Sequence, residues 1–210
     1  MAEELGKIEK PPLENFSGLR KLIVVPVVFS GKDAPADFME IFNRCWNQIG
    51  EQIKNLETKL GKVARIYHEM IFSDDEEGLK ILEQLNPESF KTVKAKCESG
   101  GKLQAAEDVE LAMENMDWER CLMVAMGQKV RSLVVQFHRE SSSKRYQYIS
   151  QKIDETLKDG EVGLAFVREG HSIQFPQNIE VFNVYPPALD EINRWLRDFS
   201  KRASTQNPES

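Results

Sequence analysis

Metal-binding and nucleophile spacings are missing from this chain. Only three histidines occur in 210 residues, His68, His138 and His171, and none stands at HxxxH, HExxH or HxH spacing. The paired ligands that hold zinc from one helix or strand are therefore absent, and no metal site is expected. Cysteine is equally scarce. Cys45, Cys97 and Cys121 lie far apart without a CxxC pair, and an odd number at apolar helical positions fits buried thiols in a reducing compartment. No GxSxG elbow occurs, and neither does the GxGxxG dinucleotide fingerprint. Ser30-Gly31-Lys32-Asp33 has one glycine before its lysine and an aspartate after it, where a phosphate loop needs several glycines and a Ser or Thr. No cofactor is expected.

Long hydrophobic runs are also lacking. The longest, Leu22 to Phe29, is far short of the ~20 residues a spanning helix needs. The acidic, polar start carries no apolar segment of the secretory kind. These features point to a soluble, cytoplasmic protein with no membrane association. Positive charge is in deficit, with a net charge of −6 and a pI near 5.3, which argues against nucleic-acid binding through a global field. Two local stretches mix base with aromatic: Phe90 with Lys91, Lys94, Lys96 and Lys102, and Lys144-Arg145-Tyr146-Gln147-Tyr148. Either could touch RNA. Weak RNA contact through the Lys91 to Lys102 stretch is the third functional reading, and a solvated helix face is the simpler one.

Present instead is the pattern of one α/β domain. A hydrophobic content of 40% is ordinary for a folded protein. Residues 1–19 read as an extended arm, 20–202 as a single domain, and 203–210 as a disordered tail. Leu22 to Phe29 is nearly continuous and β-branched, as in a strand covered on both faces. Pro26 cannot donate to a ladder, which suggests an edge position or a bulge. Phe38, Ile41, Phe42, Cys45, Ile49, Ile53, Leu56 and Leu60 then recur at helical spacing. Val63 to Phe72 forms a second strand, so the chain opens with a right-handed βαβ unit.

A helical insertion follows over about 75–158. Within it Asn86-Pro87 starts one helix, Asp117 caps another running through Gly127, and Ser141-Ser142-Ser143 marks a turn. The chain closes with two strands, Val162 to Val167 and Ile179 to Val184, and a helix after Pro186-Pro187. The expected fold is α/β, a small four-stranded mixed sheet with this insertion and a C-terminal strand-strand-helix unit. The short link from Gly170 to Asn178 allows the last two strands to be an antiparallel hairpin.

Ligands of open parallel sheets bind beyond the carboxyl ends of the strands. That rule nominates Ser30 and Lys32 after the first strand, Asp74 and Asp75 after the second, Arg168, Glu169 and His171 after the third, and Tyr185 after the fourth. His171, Glu169, Asp74 and Asp75 are the acid/base candidates. Ser30, Lys32 and Tyr185 are the ligand-binding candidates. A simpler role exists for each: Ser-Asp-Asp-Glu-Glu is ordinary helix-start composition, and loop histidines commonly bond to backbone. His68 and Glu69 point to opposite faces of their strand and cannot act as a pair. The leading functional reading is a non-enzymatic module that binds a protein partner or small ligand, as a homodimer through surplus apolar helix faces. The alternative is a carboxylate- and histidine-dependent hydrolase or transferase.

Overall fold

A computed structural model describes residues 19–206. All but the last residue of the arm expected over 1–19, and 207–210 of the tail expected over 203–210, lie outside the described residues. The described elements run β1 (Arg20–Pro26), α1 (Ala36–Leu60), β2 (Val63–His68), α2 (Asp75–Leu85), α3 (Pro87–Glu98), β3 (Lys102–Gln104), α4 (Val109–Val124), α5 (Gln128–Thr156), β4 (Val162–Val167), β5 (Ile179–Asn183) and α6 (Pro187–Gln206).

The α/β class holds, but the sheet differs from the expected one in size and direction. It has five strands in the order β3-β2-β4-β1-β5, and every neighbouring pair is parallel. The additional strand, β3, lies inside the expected helical insertion; it is three residues long and only Leu103 of them is buried. The closing strands do not form a hairpin. β4 and β5 flank β1 on opposite sides, and residues 168–178 cross over β1 without a helix. Eleven extended residues reach ~36 Å, enough to return along a strand of ~20 Å and step across two strand spacings of ~5 Å.

β1 is central, not an edge. Pro26 is tolerated because it is the last residue of β1, beyond the final pair with β5, Val24 with Asn183. Alternation aims its nitrogen at that vacated side, where no ladder acceptor waits.

Period-two alternation, shifted in β2 by an irregularity between Val63 and Arg65, divides the strands between two cores. Ile23, Val25, Val63, Ile66, Leu164 and Phe166 face a layer containing Phe38, Phe42, Ile49 and Ile53 of α1, Leu82 of α2, Val93 of α3 and Ile192 of α6. Leu22, Val24, Tyr67, Ala165 and Val167 face Ile149 and Ile153 of α5, with Ile173 from the crossover link. Arg20, 6% exposed, ties three ends of this second layer together. Its guanidinium donates to the Asp154 carboxylate at 2.6 Å, the Asp154 carbonyl at 2.8 Å and the Asn178 amide oxygen at 2.5 Å.

The helical block is cut at other places than the composition indicated. α4 ends at Val124, Gly127 is the N-cap of α5, and α5 then runs unbroken for 29 residues. Gly127 therefore sits in the turn between two helices, not within one. Asp117 is inside α4, paired with Arg120 at 3.2 Å, and the helix is capped by Asp108, which accepts from the Leu111 N–H at 3.0 Å. The serine run does not break α5, because its hydroxyls find partners within the fold. Ser141 donates to the His138 carbonyl at 3.1 Å, and the Asn115 amide donates to Ser141 and Ser142 at 2.9 and 2.7 Å.

Candidate functional site

The carboxyl edge of the sheet carries two arrangements side by side. Above β1, β4 and β5 a cavity of about 240 Å³ is lined by Val24, Pro26, Val167, Val184 and Leu189, with Arg168, Glu169, Gly170, His171, Asn183 and Tyr185 completing the wall. The apolar residues come from strand ends and the start of α6; the polar ones come from the turn after β4 and the segment after β5. β1 leads into α1 on one face, while β4 leads into the crossover link on the other. The cavity thus opens where neighbouring connections diverge, as the strand-end rule requires.

Gly170, at φ +74°, makes the turn that carries His171 round to the cavity. The His171 N–H donates back to the Arg168 carbonyl at 3.3 Å. The ring is half-buried. Its Nδ1 accepts from the Ile173 N–H at 3.3 Å, and its edge meets the Phe175 ring at 5.9 Å. Burial lowers the imidazole pKa, opposed in part by the Glu69 carboxylate. A neutral ring with Nδ1 accepting has its proton on Nε2, so His171 offers a hydrogen-bond donor at neutral pH.

Glu169, exposed, receives both bonds of the Asn193 amide at 3.0 and 3.2 Å. It also helps raise the pKa of exposed Tyr185, for which Asp190 is the larger cause. The Tyr185 backbone is held in place by α1. Its N–H donates to the Gln52 side chain at 3.0 Å, whose amide returns a bond to the Tyr185 carbonyl at 3.2 Å. The Ala188 N–H donates to Gln48 at 2.9 Å. Two glutamines one helical turn apart therefore fix the wall contributed after β5.

The second arrangement is sealed. Glu69, directly after β2, accepts the Arg168 N–H at 2.6 Å, the Arg168 Nε at 2.6 Å and the Arg145 guanidinium at 2.8 Å. Arg145 makes a two-point contact with Glu107, at 2.6 Å through Nε. Glu107 in turn accepts from the Met70 N–H at 2.9 Å, and Met70 takes a left-handed φ of +70° to present it. Glu69, Glu107 and Arg145 are 6%, 3% and 2% exposed; with Arg168, whose side chain is 41% exposed, they form a chain of alternating charge summing to zero, buried except at that end. Burial pushes the Glu69 carboxyl up, but Arg145 and Arg168 outweigh it and hold it below the usual carboxylate range. Arg145 is held protonated by both glutamates against its own desolvation.

His68 lies on the other side of the same strand end, fully buried and stacked on Phe166 at 5.4 Å. Desolvation lowers its pKa to about 4, so the ring is neutral. Nδ1 donates to the Glu69 carbonyl at 2.6 Å, and Nε2 lies 3.0 Å from the Ser89 hydroxyl, which is also 3.0 Å from the Asn86 carbonyl. Both nitrogens are occupied inside the core.

Of the residues nominated by the strand-end rule, the fold brings Glu169, His171 and Tyr185, with Arg168, to one cavity. It does not bring Asp74 or Asp75 there. They follow β2, which β4 separates from β1. Asp74 accepts from the Ala105 N–H at 2.6 Å and so braces the end of β3. Asp75 opens α2 with φ +45°. Ser30 lines a separate hollow with Phe42 and Asn86, and Lys32 a third with Phe38 and Trp195. Among the described residues no group of three His, Cys, Asp or Glu could hold a metal ion.

The sealed quartet is what sequence reasoning missed. One signal existed: Arg145 falls on the same helical row as Ser141, Ile149 and Ile153, all buried. Its burial also removes it from the basic-aromatic stretch 144–148. In the other stretch, Lys91 pairs with Glu88 and Lys96 with Glu57, each at 2.6 Å. Among the described residues no helix is long and apolar enough to cross a membrane. Compared with known proteins, the chain matches no family model, no curated protein and no solved structure.

Proposed function

We propose that this chain is a small-ligand-binding module whose site is the cavity at the carboxyl ends of β1, β4 and β5. The observation that supports it is the cavity itself: an apolar floor with a few convergent polar groups, at the edge of a parallel sheet. At about 240 Å³ it is smaller than the 300–1,000 Å³ or so typical of drug-sized ligands, so the ligand is a small molecule with an apolar body. The His171 Nε2–H and the Asn183 amide supply directional bonds to it, and Arg168 supplies positive charge at the wall. The reading includes self-association through the exposed faces of α4 and α5, away from this cavity. An acid/base reaction would have to use His171 with Glu169 alone, and Glu169 is already engaged by Asn193.

The test is amide NMR of the full chain with a library of small aliphatic and aromatic carboxylic acids, amides and alcohols. Binders are expected to shift the Gly170, His171 and Tyr185 amides together, and Val24→Phe, which fills the floor, is expected to abolish those shifts. A library that leaves these three amides unmoved would refute the reading.

A further inference from the structure

The self-association in that reading has a surface and a geometry. α4 and α5 form an antiparallel hairpin, and α4 packs chiefly on α5. Between the two helices, Trp118 stacks on Phe137, itself 41% exposed, at 4.8 Å, and Asn115 bonds to the serines of α5. Outside it, large apolar side chains face solvent. Met113 is 61% exposed, Met123 77%, Met126 97%, Val130 55% and Leu133 47%. Single exposed apolar residues need no explanation, but a run of them along both helices of one hairpin marks an interaction surface. Methionine-rich faces suit such packing because the side chain adapts its shape.

Charge decides what covers this face. In α4, Glu110, Glu114, Asp117 and Glu119 against Arg120 leave a net charge of −3. In α5 from Gln128 to Arg139, Lys129, Arg131 and Arg139 stand with no acid, a net charge of +3. A hairpin with one acidic and one basic helix is complementary to a second copy of itself. An isologous two-fold can set the acidic helix of each copy against the basic helix of the other, and both contacts are then satisfied at once. The opposite pairing, α4 on α4, would bring two acidic helices together. We infer that the α4–α5 hairpin is a homodimer interface in which α4 of one chain packs on α5 of its partner, closing a four-helix arrangement over Met113, Met123, Val130 and Leu133.

Sedimentation equilibrium of the full chain over a concentration series reaching the high-micromolar range tests this in steps. The wild-type chain is expected to be a dimer of 24.1 kDa protomers. Met123→Glu and Leu133→Glu, both at exposed positions, are each expected to weaken it by at least roughly tenfold with unchanged circular dichroism. Lys129→Glu with Arg139→Glu makes both helices acidic, and Glu110→Lys with Glu119→Lys makes both basic. Each double variant is expected to be monomeric alone, and the two are expected to form a heterodimer on mixing. A monomeric wild type overturns both the interface and the self-association it rests on. A dimer indifferent to Met123→Glu and Leu133→Glu overturns the interface but leaves self-association standing. Loss of the dimer without recovery on mixing overturns the acidic-on-basic arrangement. Binding at the cavity is read independently by the Gly170 and Tyr185 amides, so its failure is separable from all three.

Discussion

Glu69 and Glu169 follow neighbouring parallel strands, β2 and β4, and their environments are opposite. Glu69 is 6% exposed and bound by two arginines and a backbone N–H. Glu169 is exposed and bound by one neutral amide. The difference comes from what lies overhead. Helix α5 descends on the β2 side and brings Arg145 with it, while the turn at Gly170, the segment after β5 and the start of α6 border the cavity above β1, β4 and β5. Charge at a strand end is therefore either neutralised and buried under a helix or left available beside an opening. Only the second condition can serve a ligand.

The sharpest way to break the sealed side is Arg145→Met. It leaves Glu107 buried without a cation and Glu69 with Arg168 alone, and an unpaired buried charge of this kind destabilises by about 3–5 kcal/mol. Urea unfolding at neutral pH is expected to show a loss of that size. The deficit should shrink as pH falls through the lowered range of Glu69, where the wild type loses the stability its Arg145 contact supplies. Glu169→Gln, measured the same way, is expected to stay within about 0.5 kcal/mol because the side chain is exposed. Equal losses from the two would erase the distinction between the two turns.

His68 gives the next largest effect. Its folded pKa of about 4 lies below the ordinary 6.5, so the unfolded chain binds the proton more tightly. The stability associated with the neutral ring is complete above pH 6.5 and declines as pH drops toward 4. At about 1.36 kcal/mol per unit, the loss is about 3 kcal/mol. The difference in unfolding free energy between wild type and His68→Gln, followed from pH 7 to pH 4, should carry this slope. His171→Gln should carry a shallower one of the same sign, since its ring is half-buried and its pKa is also lowered. A flat difference curve for His68 would contradict its sealed environment.

Arg168 stands between the two regions, with its side chain 41% exposed and its Nε on Glu69. Arg168→Lys keeps the charge but loses the planar geometry of that contact. Its destabilisation is expected to fall between those of Arg145→Met and Glu169→Gln, on the order of 1 kcal/mol. A ligand that relies on Arg168 should lose affinity in the same variant while the His68 slope is retained.

The contrast also explains what could be read in advance. Four strands were legible because each spans at least five residues rich in β-branched or aromatic side chains. β3 was not, since Lys102, Leu103 and Gln104 offer one apolar residue and pair only through tertiary proximity to β2. The parallel direction of β5 was hidden because its link contains no helix, the usual marker of a crossover. Glu169, His171 and Tyr185 could be nominated together because strand ends follow from strand positions. Glu69, Glu107 and Arg145 could not, because their pairing depends on where α5 lands, and that depended on a helix running through three serines. The interruption expected at Ser141 separated Arg145 from the buried row it belongs to.

The smallest effect tests the open side on its own. Tyr185 is exposed, and its pKa is raised by Asp190 first and Glu169 second. Both are carboxylates, so each disfavours the phenolate. Spectrophotometric titration at 295 nm, with the other tyrosines replaced by phenylalanine where the fold permits, should resolve it from Tyr67, whose burial pushes its pKa up to about 12. Asp190→Asn is expected to lower the Tyr185 pKa more than Glu169→Gln does, and neither should alter that of Tyr67. Added salt should shrink both shifts, because exposed charges are screened over roughly 8–10 Å at physiological ionic strength. Salt should leave the Arg145 deficit nearly unchanged, since ions cannot enter between Glu69 and Glu107. If salt reduced both alike, the quartet would be reached by solvent, and the two turns would differ only in degree.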